Sequence, residues 1–336
     1  MKQVNKPLLL VSLFYIFCVN SSYALGDNIG GLPYLNTQHI KNNPVSQFDI
    51  IDAPDHSVIN NLSDVSNDPY QLHTLTYNIK YPPPRTSSPV RAAKIGQALK
   101  TINNNYDVIA LQECFFQLYY EDIQNNSKLV NSAYNYASNI VGYPSSFIFH
   151  DSGGAVFLSK WPIIHEWQHI FSKITFDDGV WRQQKGVIAI EINKGGQHYY
   201  FVTTHLSPYE KHSDVRATQL AEINTFIKNN LTEAYPIIFM GDLNIIQGST
   251  EEKNISQALP TLQYVPYSGY YQYSWDAILD KLADDGQQYT IDYLYYWNDI
   301  LHKKPLSEQS TIVRPVENGA TDLSDHFAVQ GTFKFN

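Results

Sequence analysis

Cysteine is nearly absent from this 336-residue chain: there are two, Cys18 and Cys114. Cys18 lies in an N-terminal apolar stretch read below as a removable signal, which leaves Cys114 alone. No internal disulfide is then possible, and the core by itself must hold the fold. Basic charge is also short, with 23 Lys and Arg against 32 Asp and Glu. Losing Lys2 and Lys6 with the signal takes the net charge from −9 to −11. Duplex-binding proteins carry a basic stripe, so this balance weighs against a nuclease, though a local basic groove would still permit one. The histidines and cysteines form no evident zinc-ligand cluster. There are no repeats and no low-complexity linker.

Long apolar runs are scarce too. The one at the N-terminus, Pro7 to Val19, follows Lys2 and Lys6 and precedes "SSYA", with small Ser22 and Ala24 in the pattern of a cleavage site. It is too short to cross a bilayer and reads as a secretory signal peptide over 1–24, so the protein is expected to be secreted. Residues 25–70 are rich in Asn, Asp and Ser and are expected to form a leader with little regular structure. A catalytic domain is expected over 71–336.

Hydrophobic residues make up 43% of the chain, enough for a globular core. Apolar alternation or short apolar runs predict strands at 72–79, 107–113, 153–160, 185–192, 198–206, 236–240, 289–297 and 325–335. Helical spacing predicts helices at 91–102, 119–140 and 213–230, the last with Ser213 as its cap. Strands separated by several helices suggest an α/β or α+β domain with at least two sheets.

Several of these strands share an anomaly. Each carries, at or near its end, a polar residue that a structural role does not require. These are Asn78, Glu113, His205, the Asp242 and Asn244 of "GDLN", and the Asp325 and His326 that open the last strand. Asp292 sits among aromatic and apolar neighbours in "TIDYLYYW". Singly, each reads as a cap, a turn former or a core histidine. Together, at the strand ends where sites are assembled, they suggest one site. Carboxylates and amide carbonyls are hard ligands that suit Mg²⁺. Two histidines beside such a site can share acid and base duty, and an acid such as Asp292 can hold one imidazole in the required tautomer. Metal-assisted attack of water on a phosphate ester needs these parts.

The motifs "TYNIK", "LQECF", "TTHL", "GDLN", "IDYL" and "SDH" occur in the order found in the endonuclease/exonuclease/phosphatase superfamily, which the chain resembles from about residue 72 to its end. "GGAVFLSKWPI" (153–163), "DVRATQLAEINTFI" (214–227), "YSWDA" (273–277) and Phe115 two residues after Glu113 resemble the secreted bacterial neutral sphingomyelinases C. The resemblance implies an α+β, DNase I-like fold, a four-layer α/β/β/α sandwich with the site at one end of its sheets. It implies Glu113 as the main Mg²⁺ ligand with Asn78 beside it and Asp325 completing the metal and phosphate cluster. Asp242 and Asn244 would position phosphate and water, His326 would be the general base oriented by Asp292, and His205 would stabilise or protonate the leaving group. Mn²⁺ or Co²⁺ are possible substitutes for Mg²⁺.

The implied activity is hydrolysis of sphingomyelin at a membrane surface by a monomer that does not act on nucleic acid. A nuclease on the same fold, a non-catalytic module and a phosphodiesterase for another phospholipid are the alternatives. One departure stands out. The family often carries an aromatic-tipped hairpin before Ser-Asp-His, whereas "STIVRPVENGATDLSDH" (310–326) has no aromatic residue. Phe115, Phe116, Tyr119 and Tyr120, or the tyrosines of "YVPYSGYYQYSW" (264–275), are alternative lipid or choline contacts.

Overall fold

The computed structural model describes residues 48–51, 67–80, 94–96, 98–99, 106–115, 136–142, 152–175, 183–317 and 321–336. The expected signal peptide, most of the expected leader, and Phe116, Tyr119 and Tyr120 lie outside the described residues. No helix among the described residues is long and apolar enough to cross a membrane.

Strands β1 (Phe48–Ile51), β2 (Gln71–Asn78), β3 (Val108–Gln112), β4 (Tyr136–Ala137) and β5 (Val156–Ser159) enter one sheet. Strands β6 (Ile163–Ile170), β7 (Gly186–Lys194), β8 (Gln197–His205), β9 (Ile237–Asp242) and β10 (Leu262–Tyr264) enter a second. Three two-residue strands follow, β11 (Tyr267–Ser268), β12 (Trp275–Asp276) and β13 (Gln288–Tyr289). Then β14 (Asp292–Trp297) joins the second sheet, and β15 (Ser307–Glu317), β16 (Thr321–Asp322) and β17 (Ala328–Lys334) return to the first. The first sheet runs β1-β15-β17-β2-β3-β5-β4, with β11 and β16 also on β15. The second runs β10-β14-β9-β8-β7-β6, and β12 pairs with β13.

Two-residue alternation divides the side chains into layers. Leu72, Val108, Ala110, Phe157, Val329 and Phe333 of the first sheet meet Ile188, Ile190, Phe201, Ile238, Met240 and Leu294 of the second. The opposite face of the first sheet presents Leu75, Tyr77, Ile109, Leu111, Val156 and Leu158 to Ile95 and Leu99 of the helical residues 94–96 and 98–99. The outer face of the second sheet presents Val187, Ala189, Val202, Phe239, Tyr293 and Tyr295 to Leu220, Ile223, Phe226 and Ile227 of helix α1 (Ser213–Asn230). The order is helix, sheet, sheet, helix, which is the expected α+β four-layer sandwich. Each fully buried aliphatic or aromatic side chain adds about 1.5–3 kcal/mol, so these three apolar layers replace the missing disulfides.

Four expectations change. Strand β1 pairs antiparallel with β15, so sheet structure begins inside the segment read as an irregular leader. The predicted helix at 119–140 does not reach its end. Tyr136 and Ala137 are strand β4, because the edge of β5 offers them backbone partners. Ser213 is not the cap of α1 but its first residue; His212 holds the cap position, with no side-chain hydrogen bond. Strands β6 and β15 carried no clear alternation. The first is a partly exposed edge, and the second draws its order from partners on both sides.

Candidate active site

Along β2, β3, β8, β9 and β14 apolar residues or threonines fill the inward positions of mid-strand, and a larger polar side chain stands at one end. On β2 the inward series ends at Asn78, on β3 at Gln112, on β8 at His205 and on β9 at Asp242. Strand β14 runs antiparallel to β9 and begins with Asp292 directly opposite Asp242. His205 lies opposite Asp242 in the parallel β8–β9 ladder. The strand period alone therefore gathers these side chains at one end of the sandwich.

Two backbone departures add the rest. Alternation would send Glu113 to the outer face with Leu111. At Glu113 the backbone turns left-handed, with φ 61°, and the carboxylate instead meets Asn78 on the inner side, Asn78 Nδ2 donating to Oε1 at 3.2 Å. Such a conformation is uncommon for a residue with a side chain and costs on the order of 1 kcal/mol or more. The "GDLN" turn does the same with Asn244, at φ 51°. Leu243 enters the outer apolar layer while Asp242 and Asn244 face the site. Gly241 has no substitute there, since a Cβ would sit 2.3 Å from the carbonyl oxygen of Thr204.

The hydrogen bonds form one network. His326 Nδ1 meets Asp292 Oδ2 at 2.8 Å. The Nε2 atoms of His205 and His326 lie 3.5 and 3.9 Å from Asp242 Oδ2. That oxygen also accepts from Asn78 Nδ2 at 2.9 Å, joining the two sheets. Asn78 Oδ1 accepts the Lys80 backbone N–H at 2.9 Å, and Ser324 Oγ donates to the Asn78 carbonyl at 2.7 Å. Asp325 pairs with Lys80 Nζ at 2.8 Å. Asn244 donates to the Leu206 carbonyl at 3.1 Å. The ring of Trp275 stands edge-on to that of His326, with centroids 5.1 Å apart. Phe115 approaches His205, with centroids 6.4 Å apart. Glu113, His205, Asp242, Asn244, Asp325 and His326 line a cleft of about 780 Å³.

Burial and charge set the protonation states. Burial pushes the Glu113 carboxyl up, and the nearby Asp325 adds to the shift, against opposition from His326, Lys185 and Asn78. Asp242 is raised by burial and by Asp292 across the ladder. His205 falls well below the usual imidazole range because it is buried and because Lys185 and His326 stand nearby, so it is neutral around pH 7. Burial would also lower His326. The Asp292 carboxylate and its hydrogen bond, with Asp242 and Asp325 behind it, outweigh that and raise it to about 10.

These acids fit a hard cation. Burial and the nearby Asp325 raise the cost of ionising Glu113, and a bound cation would remove that cost. Oxygens of Asp242 and Asp292 and a ring nitrogen of His326 lie within 4.8 Å of one another, the one such group among the described residues. A cation shared by Asp292 and His326 would have to replace the hydrogen bond they already make. Glu113 carries no such bond to a base and is the better ligand. Its oxygen donors and those of Asp325 suit Mg²⁺.

All eight residues singled out in the sequence lie at this end of the sandwich. Two others do as well. Lys185, buried at the start of β7, donates from Nζ to the Leu206 carbonyl at 2.9 Å and lines the cleft. Gln112 donates to Thr76 Oγ1 and Thr203 Oγ1, both at 3.0 Å, bridging the sheets just beneath the site. The signal for Lys185 was a lone cation opening the apolar run "KGVIAIEI". For Gln112 it was the single polar residue before Glu113. Of the tyrosines in 264–275, Tyr271 is buried in the inter-sheet core and Tyr264 and Tyr267 pack against apolar layers, while Tyr270 and Tyr273 are exposed.

Comparison with known proteins agrees with this geometry. Residues 75–326 match the Endonuclease/Exonuclease/phosphatase family. A phospholipase C of Staphylococcus aureus is 27% identical over 304 residues, covering 80% of this chain and 86% of that protein. A sphingomyelinase C of Bacillus cereus is 27% identical over 310 residues, covering 81% of this chain and 89% of its own. Among solved structures, sphingomyelinase C from Streptomyces griseocarneus superposes with a TM-score of 0.66 at 24% identity, covering 78% of this chain and 99% of the other. A magnesium-bound beta toxin variant from Staphylococcus aureus superposes with a TM-score of 0.65 at 23% identity, over 78% and 99%. The fold is that of these DNase I-like proteins.

Proposed function

We propose that this chain, which belongs to the endonuclease/exonuclease/phosphatase family, is a secreted Mg²⁺-dependent phosphodiesterase that hydrolyses sphingomyelin to ceramide and phosphocholine. One observation carries the chemistry: His326, held by Asp292, faces Asp242 and opens on a cleft that Glu113 also lines. The named sphingomyelinase C relatives support the substrate. The N-terminal apolar run supports secretion.

In this reading Glu113 holds Mg²⁺, with Asp325 beside it. Asn78 is an orienting group, since its amide N–H groups serve Glu113 and Asp242. When bound, Mg²⁺ supplies positive charge against the charge that develops on the phosphoryl oxygens. Such a charge near His326 would also oppose protonation of its Nε2, the atom that serves as the base. His326 then takes the proton of the attacking water, and Asp292 stabilises the imidazolium. Asp242 and Asn244 orient the water and the phosphate. Neutral His205 donates a hydrogen bond to the phosphoryl or leaving oxygen, and Lys185 adds a fixed positive charge nearby. Water's oxygen joins phosphorus, the bond from phosphorus to the ceramide oxygen breaks, that oxygen takes a proton from solvent through His205 so that ceramide leaves as an alcohol, and the proton held by His326 returns to solvent.

The cleft surroundings favour a lipid over a nucleic acid. Glu210, Asp284 and Asp285 line the cleft in addition to the site acids, a poor wall for a polyanion. On the adjoining loop Ile278, Leu279 and Leu282 are 68%, 38% and 40% exposed, a contact surface for a membrane. The enzyme acts there as a monomer. Release of phosphocholine from sphingomyelin, beside phosphatidylcholine and plasmid DNA, with Mg²⁺ and with EDTA, tests the reading. Mg²⁺-dependent turnover of sphingomyelin is expected. Cleavage of DNA with sphingomyelin untouched would move the protein to the nuclease branch.

A further inference from the structure

The cleft has an aromatic wall that hydrolysis of a phosphodiester does not require. Strands β12 and β13 pair Trp275 with Tyr289 directly across the ladder. Their rings stack nearly parallel, at 6° and 5.9 Å between centroids. Between the two strands the chain places Asp285, whose carboxylate accepts from Trp275 Nε1 at 2.9 Å and from the Tyr289 hydroxyl at 2.5 Å. The Gln287 backbone N–H donates to the same carboxylate at 2.9 Å. All three side chains line the cleft. Burial would raise the Asp285 carboxyl, but the hydrogen bonds from Tyr289 and Trp275 outweigh it and hold the group below its usual range, so it carries a negative charge. The hairpin is also fixed to the base. Trp275 forms a backbone bridge with His326, and Ser274 Oγ accepts the Ile291 and Asp292 N–H groups.

We propose that Trp275, Tyr289 and Asp285 form the subsite for a quaternary ammonium group two carbons from the scissile phosphate, that is, for choline. This rests on the phosphodiesterase reading of the same cleft. Aromatic surface attracts a cation through the ring quadrupole. The hydrogen-bonding capacity of Asp285 is already engaged by three donors, so the group offers its charge more readily than a new acceptor. A primary ammonium, which must replace three hydrogen bonds to water, gains little there. A trimethylammonium makes no such bonds and loses none. Because the Trp275 ring touches that of His326, a headgroup held against the hairpin leaves its phosphorus beside the base.

The test is binding of phosphocholine, phosphoethanolamine and inorganic phosphate to the full chain, followed by NMR or calorimetry at one Mg²⁺ concentration. Trp275 is left intact because it contacts His326. Wild type is expected to bind phosphocholine about tenfold more tightly than phosphoethanolamine. Tyr289→Leu should remove about tenfold from phosphocholine affinity and leave inorganic phosphate unchanged. Tyr289→Phe, which keeps the ring, should stay within about twofold of wild type. Asp285→Asn, which keeps an acceptor but loses the charge, should weaken phosphocholine alone. Equal binding of the two headgroups, a parallel loss for phosphate in Tyr289→Leu, or a Tyr289→Phe variant as weak as Tyr289→Leu would overturn the proposal. Sphingomyelin turnover is read separately. Selective phosphocholine binding without turnover keeps the subsite and rejects the substrate; turnover without selectivity does the reverse.

Discussion

A buried lysine stands at each end of strand β7, Lys185 just before it and Lys194 as its last residue, and the two ends of the sandwich use it differently. At the far end Lys194 Nζ meets Asp107 Oδ1 at 2.9 Å, with both side chains fully buried. Lys194 also donates to the Gln71 carbonyl, Trp161 Nε1 donates to Asp107 Oδ1, and the His73 N–H donates to Oδ2. Both oxygens of that acid are engaged. At the other end Lys185 donates to a carbonyl, and its charge acts on Glu113 and His205. There Asp292 Oδ1 and His205 Nδ1 are buried with no hydrogen-bond partner among the described residues. One end ties the sheets together, with the Lys194 ammonium and both Asp107 oxygens engaged. The other leaves acids and imidazoles for a cation and a substrate to complete.

The sharpest way to break the contrast is to remove one group from each end. His326→Asn should lower kcat about a thousandfold and leave the fold intact, measured by phosphocholine release and circular dichroism. Lys194→Met should do the opposite. It leaves Asp107 buried and alone, costing about 3–5 kcal/mol in denaturant unfolding, while turnover per folded molecule holds. The double variant Asp107→Leu with Lys194→Met should recover most of that loss, because no unpaired charge remains.

A pH series sharpens the comparison further. The folded-state pKa values of Glu113 and Asp242 are raised, so their protonation favours the metal-free fold. That contribution is present below the ordinary carboxylate range and fades as pH rises through the raised values. For His326, raised to about 10, it is present below about 6.5 and fades as pH rises toward 10. A cation binds the ionised carboxylates, so the gain in thermal midpoint from Mg²⁺ should be small at about pH 5 and grow toward about pH 8. Glu113→Gln should flatten that growth. The smallest effect is expected from Gln112→Met beneath the site. Losing its bridges to Thr76 and Thr203 should cost about 1 kcal/mol in stability and less than about tenfold in kcat.

The site was legible wherever strand alternation carried it. Asn78, His205, Asp242 and Asp292 lie on inward positions of strands that the apolar pattern had already marked. Glu113 and Asn244 were legible as residue types but not as directions, because a left-handed backbone re-aims each of them and no periodicity reports that. Lys185 was hidden because a lysine before an apolar strand also reads as a solvated boundary. The Trp275–Tyr289 pair was hidden because two-residue strands leave no pattern. In the fold, β15 escaped notice because its order comes from β1, β11, β16 and β17 rather than from its own sequence "SEQSTIVRPVE".

In the proposed reaction, water activated by His326 attacks phosphorus in sphingomyelin with a divalent cation present. Turnover in ¹⁸O-labelled water, with mass analysis of both products, tests it most directly. One labelled oxygen is expected in phosphocholine and none in ceramide, with no turnover in EDTA and turnover about a thousandfold lower in His326→Asn. Label in ceramide, or labelled phosphocholine from His326→Asn at the wild-type rate, would contradict it.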